Sequence, residues 1–218
     1  MVEKQIRKRG EKLDNKIFQV VIDLLKTLTY EEVTYTLVAQ EAHTSRTVLY
    51  RRWSTMIELM HDAVNWKVHN VSSYRLHGVG GQIAGMINDE SIVGSNGSVS
   101  TGNLRDDLIE MSENFWTATQ IVGHEYMRAM MIEYGRSNPY LQKLVPRARQ
   151  INLDVVNRIL MNALERGEIK QVPSENVRML FFDLTRYRMM MDQNIITSQV
   201  DLTQIIDEVV MPSIMAAQ

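Results

Sequence analysis

The 218-residue chain contains no cysteine. Disulfide bonds, thiolate metal sites and cysteine nucleophiles are therefore excluded, and the composition agrees with a reducing environment. The chain also lacks an apolar run close to the roughly 20 residues that span a bilayer. Its charged N-terminal arm is not followed by the apolar segment of a signal peptide. We expect a soluble cytoplasmic protein that has no membrane partner.

A strong overall charge is missing as well. The formal net charge is −2 and the pI is about 6.2, so no global positive field draws the molecule toward phosphate. The first sixteen residues nevertheless hold six basic side chains against three acidic ones. Between residues 42 and 57, three arginines occur without any Asp or Glu: Arg46, Arg51 and Arg52. Binding to a nucleic acid would have to use this local patch.

The sequence shows no glycine-rich phosphate cradle, no nucleophile elbow and no metal triad. His124 and Glu125 begin a pattern similar to the H-E-x-x-H of zinc proteases, but the fifth residue is Arg128. The remaining histidines are too scattered for a metal-ligand spacing: His43, His61, His69 and His77. We therefore expect no metal, no cofactor and no enzymatic activity.

In the N-terminal part, apolar residues recur at spacings of three and four, which predicts amphipathic helices. The first helix is predicted at about 14–28. Thr34 is suited to cap a second helix, Ser45 a third that runs to about Arg52, and Ser54 a longer fourth. Two short helices across a tight turn, followed by the start of another helix, form the pattern of a helix-turn-helix.

Seven of the eleven glycines fall between residues 78 and 102, which predicts a Gly/Ser-rich loop, with a short helix possible at 83–87. Further helices are predicted beyond this loop: one capped by Asn103, one at about 119–134 that Gly135 ends, one from near Pro146 to Gly167, one opened by Pro173 and Ser174, and one at about 202–216. Because the β-like runs are too short for a sheet, the fold class is predicted to be all-α.

Several N-terminal features occur together: Tyr30 after the first helix, the Val38-Ala39 pair, the block T-V-L-Y-R-R-W, and S-x-x-x-E-L at 54–59. In this combination the segment from about 12 to 64 resembles the DNA-binding domain of the TetR/AcrR family of transcriptional repressors. N-L-R-D-D-L at 103–108 and E-R-G-E at 165–168 add a weaker resemblance. Two departures from the family pattern are His43, where glycine is usual, and Thr55-Met56, where a phosphate-binding lysine is frequent.

The resemblance implies an N-terminal three-helix DNA-binding domain at 1–54 and a connecting helix at about 55–70. A C-terminal helical bundle at 71–218, including the loop at about 78–102, would serve dimerisation and ligand binding. The implied protein is a homodimeric repressor that a small-molecule effector releases from a palindromic double-stranded DNA operator. Two alternatives are a helical ligand-binding or interaction protein without DNA binding, and an enzyme.

The third helix would enter the DNA major groove, where its first turn reaches base edges. Arg46 is the best candidate reader, because a guanidinium pairs with guanine O6 and N7, and Thr47 could touch a thymine methyl. By resemblance, Thr34, Tyr50 and Arg52 would hold phosphates, contacts that set position rather than sequence. The complete predicted DNA-binding set is Thr34, Thr36, Thr44, Ser45, Arg46, Thr47, Tyr50, Arg51 and Arg52.

Methionines near aromatic residues in the C-terminal part suit a pocket for irregular apolar ligands, although plain core is the favoured interpretation for each residue taken singly. The candidate ligand-binding residues are Trp116, His124, Met127, Met131 and Tyr187. The resemblance also implies a four-helix dimer interface from helices near 147–166 and 174–192. The proposed apolar contacts are Leu160, Leu164, Phe181 and Leu184.

Overall fold

A computed structural model of the chain describes residues 2–70, 100–191 and 198–218, without the side chains of residues 2–9, 69 and 190. Within these ranges every regular element is helical, so the all-α prediction is confirmed. The possible helix at 83–87 and most of the predicted loop lie outside the described residues. None of the helices in the described ranges combines the length and apolarity that a membrane crossing requires.

The elements of the N-terminal part are α1 (Val2–Leu24), α2 (Tyr35–Glu41), α3 (Arg46–Tyr50) and α4 (Met56–Asn70). The elements after the gap are α5 (Leu104–Val122), α6 (His124–Gly135), α7 (Leu141–Glu165), α8 (Glu175–Met191), α9 (Gln199–Ile205), a π-helical turn (Ile206–Val210) and α10 (Met211–Ala216).

The chain divides into two compact units. The first unit is Met1–Ser73 with Ile121–Gln142, and the second is Tyr74–Gln120 with Lys143–Gln218. Helix α6 therefore groups with the N-terminal helices, which the predicted domain boundary did not anticipate. The predicted division at about 54 and 71 stays a prediction, because compactness and independent folding are different properties.

The core of the first unit joins α1 to α4, with the two short helices packed beside them. Each helix contributes side chains with no exposed surface: Ile17 and Val21 from α1, Val38 from α2, Leu49 from α3, and Ile57, Met60 and Val64 from α4. Helices of seven and five residues are not stable alone. Burial of Val38 and Leu49 is therefore what holds α2 and α3 in place.

The core of the second unit contains a cluster of three phenylalanines. The ring centroids of Phe181 and Phe182 lie 5.2 Å apart, and the Phe115 ring lies 5.5 and 5.6 Å from them, all with edge-to-face geometry. Such pairs add to the burial free energy of the rings. The cluster fixes α8 against α5.

Several predicted helix boundaries were wrong. Helix α1 ends at Leu24 rather than near residue 28. The cap of α4 is Thr55 rather than Ser54, because the Thr55 hydroxyl accepts the Glu58 N–H at 3.4 Å. The predicted helix at 119–134 is divided at Gly123, whose φ of +95° suits glycine and ends α5.

Two further boundaries also differ from the prediction. Helix α7 begins at Leu141, so Pro146 lies inside it instead of opening it. Asn138 favours the start of α7 at Leu141, because its side-chain oxygen accepts the Tyr140 N–H at 3.0 Å just before the helix. The last predicted helix is two helices joined by the π-helical turn, which precedes Pro212 and accommodates its missing N–H.

Candidate nucleic-acid interface

The turn between α2 and α3 is closed by a pair of backbone hydrogen bonds. The His43 N–H donates to the Gln40 carbonyl at 3.1 Å, and the Thr44 N–H donates to the Ala39 carbonyl at 2.9 Å. This is a Schellman arrangement, which needs a left-handed residue after the helix. His43 supplies it with φ of +52°, the position where glycine is usual in the family that the sequence resembles. The turn fixes the angle between α2 and α3.

Both short helices are capped as predicted. The Thr34 hydroxyl accepts the Leu37 N–H at 3.3 Å, and the Ser45 hydroxyl accepts the Val48 N–H, also at 3.3 Å. A side-chain cap satisfies one of the backbone donors that a helix start leaves without a partner. The start of α3 is therefore fixed by local chemistry.

Helix α3 has one buried and one exposed side. Leu49 is fully buried, whereas the predicted readers in the first turn, Arg46 and Thr47, are exposed. Most of the predicted DNA-binding set is exposed: Thr34, Thr36, Ser45, Arg46, Thr47, Tyr50 and Arg51. Thr44 and Arg52 are half-buried. The structure thus gathers these side chains around α2, α3 and the turn that joins them.

Arg52 differs from its neighbours because its guanidinium forms an ion pair with Asp14 of α1. The pair is half-buried on both sides, and it ties the end of the helix-turn-helix to the first helix. Its predicted phosphate contact stays a prediction that now has to account for this competing carboxylate. The sequence did not indicate this ion pair, because the two residues are far apart along the chain.

The end of α3 has aromatic neighbours that sequence reasoning missed. The ring centroids of Tyr35 and Tyr50 lie 4.4 Å apart, and the Tyr35 hydroxyl donates to the Trp53 carbonyl at 3.0 Å. The Trp53 indole donates to an Asp62 carboxylate oxygen at 2.7 Å. The tyrosine directly after the cap Thr34 was the feature of the sequence that could have indicated this contact, but residue spacing does not identify Tyr50 as its partner.

Helix α6 is attached to the loop between α1 and α2. A Glu125 carboxylate oxygen accepts the Tyr30 N–H at 2.9 Å, and Arg128 donates to Glu31 at 2.6 Å. Burial, followed by the nearby charge and hydrogen bond of Glu133, raises the pKa of Tyr30 above its usual value. These contacts explain why α6 groups with the first unit.

A second attachment of α6 is buried. The Tyr126 hydroxyl lies 2.6 Å from Nδ1 of His61 in α4, and His61 is only 4% exposed. Burial raises the pKa of Tyr126 well above its usual value, so the phenol stays protonated. The Tyr140 ring contacts His61 edge-on, with 5.4 Å between centroids. This contact couples α4 to α6.

The candidate ligand-binding residues are divided between the units. His124, Met127 and Met131 are half-buried in the first unit, whereas Trp116 is half-buried and Tyr187 exposed in the second. The ligand site stays a prediction. No group of three His, Asp or Glu side chains comes together to hold a metal in the parts of the chain that the structure describes.

The proposed dimer contacts stay a prediction, and they differ in burial. Leu160 and Phe181 are 0% and 1% exposed in the single chain, where they belong to the core. Leu164 and Leu184 are half-buried. The same two helices also carry large apolar side chains that are exposed and that were not among the proposed dimer contacts: Met161, Tyr187 and Met191.

The motifs N-L-R-D-D-L at 103–108 and E-R-G-E at 165–168 contact each other inside the second unit. Arg166 donates to Asp107 at 2.8 Å and to Glu168 at 2.5 Å, and Glu168 accepts the Leu104 N–H at 2.7 Å. Gly167, with φ of +77°, forms the turn that brings Glu168 back toward α5. The motif residues therefore fasten the start of α5 to the end of α7.

A capped five-residue helix that exposes an arginine and two hydroxyls, held by a tight turn to the helix before it, defines a helix-turn-helix protein. The model of one family, "Tetracyclin repressor-like, C-terminal domain", matches residues 99–209. This match covers half of the chain, and the chain belongs to the TetR family.

Curated relatives agree with this membership. Proteins of Mycobacterium tuberculosis and Mycobacterium bovis, each named an uncharacterized HTH-type transcriptional regulator, are 26% identical to this chain over 160 residues. The match covers 72% of this chain and 65% of each relative. The chain thus spans just under two thirds of the length of these relatives.

Proposed function

We propose that this protein is a transcriptional regulator that binds double-stranded DNA through α3. The observation that carries the proposal is the two-sided character of α3, with Leu49 buried and Ser45, Arg46 and Thr47 exposed at its start. Arg46 would read guanine, since a bidentate contact provides about 1–3 kcal/mol of discrimination. Family membership and the names of the relatives support this assignment.

Contacts to phosphate would position the helix. Exposed side chains lie on either side of the first turn of α3, which would contact the bases: Thr34 and Thr36 at the start of α2, and Tyr50 and Arg51 at the end of α3. Such contacts supply affinity without sequence information. Arg52 would add a phosphate contact only with the part of its guanidinium that the ion pair with Asp14 leaves available. The protein would act in the cytoplasm.

The regulator would work as a homodimer on a palindromic operator, because one helix-turn-helix reads only a half-site. Helices α7 and α8 supply exposed apolar side chains for the interface in Met161, Tyr187 and Met191. Half-buried Leu164 and Leu184 would complete it. Of the contacts that the sequence suggested, Leu160 and Phe181 lie in the core of the single chain.

A small molecule would release the protein from DNA. An effector lowers DNA affinity only by its differential affinity for the two conformations. The candidate residues remain Trp116, His124, Met127, Met131 and Tyr187. Helix α4 would carry the change, because it belongs to the core under α3 and contacts α6 through His61. No enzymatic activity is expected.

The test is the selection of bound fragments from random duplex DNA by the full-length protein, followed by binding titrations at several salt concentrations. Affinity for the selected duplex should fall steeply with salt, in proportion to the phosphates neutralised. Arg46→Ala should lose discrimination, whereas Arg51→Ala should weaken selected and random duplexes alike. If no duplex is retained in dilute buffer, the chain is instead a helical ligand-binding or interaction protein.

A further inference from the structure

The end of α3 needs support that its own backbone cannot give. A helix of five residues is too short to keep its direction by hydrogen bonding alone. Its start is fixed by the Ser45 cap and its middle by buried Leu49. Its last residue, Tyr50, is 59% exposed, so the core does not hold it.

Tyr35 provides the missing support. It is the first residue of α2, and its ring lies 4.4 Å from that of Tyr50 with 46° between the planes. Its hydroxyl also donates to the Trp53 carbonyl, just beyond α3. Burial raises the pKa of Tyr35 to about 12, so this hydroxyl is a protonated donor at neutral pH. Tyr35 thus touches the end of α3 and the connection to α4.

The acceptor of this hydrogen bond is itself fixed. The Trp53 side chain is 6% exposed overall and its indole N–H donates to Asp62 of α4. Its ring also packs edge-on against Phe18 of α1, with 5.8 Å between centroids. Tyr35 is therefore anchored to the core through its hydroxyl, while its ring contacts the exposed ring of Tyr50.

We propose that Tyr35 is a positioning residue for DNA recognition: by its ring contact with Tyr50 it fixes the direction of α3 and so the approach of Arg46 to the bases. The proposal rests on the proposed function. Arg46 and Tyr50 stand at opposite ends of α3, so a tilt at one end displaces the other. Base contacts depend on this direction, whereas binding to random duplex depends mainly on charge.

The test compares full-length Tyr35→Phe, Tyr35→Ala and the control Gln40→Ala, an exposed substitution on α2. Two quantities are measured: amide hydrogen exchange at residues 46–51 in the free protein, and affinity for both a duplex selected by the wild type and a random duplex. Tyr35→Ala should speed exchange and weaken selected-duplex binding about tenfold, with a smaller loss on random duplex. Tyr35→Phe should keep most of the effect of the ring contact, and Gln40→Ala should change neither quantity.

A double-mutant comparison separates positioning from general damage. If Tyr35 acts through Tyr50, Tyr35→Ala should add little to the loss already caused by Tyr50→Ala. Equal losses on both duplexes, additive losses in the double variant, or unchanged exchange at 46–51 would each overturn the proposal. A wild type that retains no duplex would overturn the proposed function, whereas exchange in the variants would still decide whether Tyr35 fixes α3.

Discussion

Replacing Asp107 by alanine is expected to destabilise the second unit. Asp107 has no exposed surface and accepts three hydrogen bonds, from the Thr101 N–H at 2.6 Å, the Thr101 hydroxyl at 2.8 Å and Arg166 at 2.8 Å. The substitution removes both carboxylate oxygens and with them all three hydrogen bonds. The segment before α5 would lose its attachment, and the turn after α7 would be held less firmly.

The loss of stability depends on how many contacts of Arg166 remain after Asp107 is removed. Removing one partner of a buried ion pair costs about 3–5 kcal/mol. Arg166 keeps Glu168 as a partner and its side chain is 25% exposed, so water and Glu168 replace part of the lost interaction. We therefore expect a loss of about 2–3 kcal/mol in the free energy of unfolding.

The assay is urea unfolding of the full-length protein followed by circular dichroism, with Arg105→Ala as the matched control. Arg105 also forms a two-point contact with a carboxylate, Asp207, at 2.7 and 2.8 Å, but both side chains are exposed. Exposed pairs contribute little, because water screens them. The Asp107 variant should lose much more stability than the control, and equal midpoints for the two variants would refute the reasoning.

Three further substitutions test the turns and the buried contact of α6. His43→Gly should raise the free energy of unfolding by up to about 1 kcal/mol, because glycine carries no cost at a positive φ. Gly167→Ala should lower it by about 1–2 kcal/mol through backbone strain alone, since no atom lies within 4 Å of an added Cβ. Tyr126→Phe should lower it by about 1–2 kcal/mol by removing the hydrogen bond to His61. Thermal or urea unfolding measures all three, and a change of opposite sign would contradict the stated cause.

What the sequence predicted well were features decided by neighbouring residues. Thr34, Ser45 and Asn103 cap their helices as expected, because a hydroxyl or amide at this position meets a backbone N–H within one turn. The stop at Gly167 is equally local, since its left-handed φ depends on the residue itself. For the same reason the helical class was predictable from periodicity.

What the sequence did not predict depends on contacts between distant residues. The Asp14–Arg52 pair joins α1 to the turn after α3, and the Tyr35–Tyr50 contact joins α2 to α3; no spacing rule indicates such partners. The boundary between α5 and α6 was predicted near residue 119, although the apolar stripe of α5 continues to Val122 and the break comes at Gly123. Periodicity marks the apolar face of a helix and does not mark where one helix ends and the next begins.

The burial of the proposed dimer contacts shows a physical limit of periodicity as a guide to interfaces. A helix that packs in the core and also meets a partner has two apolar faces, and spacing marks both without telling them apart. Leu160 and Met161 are adjacent in α7, yet one is fully buried and the other is 47% exposed. Only the position of the other helices decides which of the two faces is buried within the single chain. Which apolar side chains stay exposed therefore follows from the fold, and on α7 and α8 they include Met161 and Tyr187.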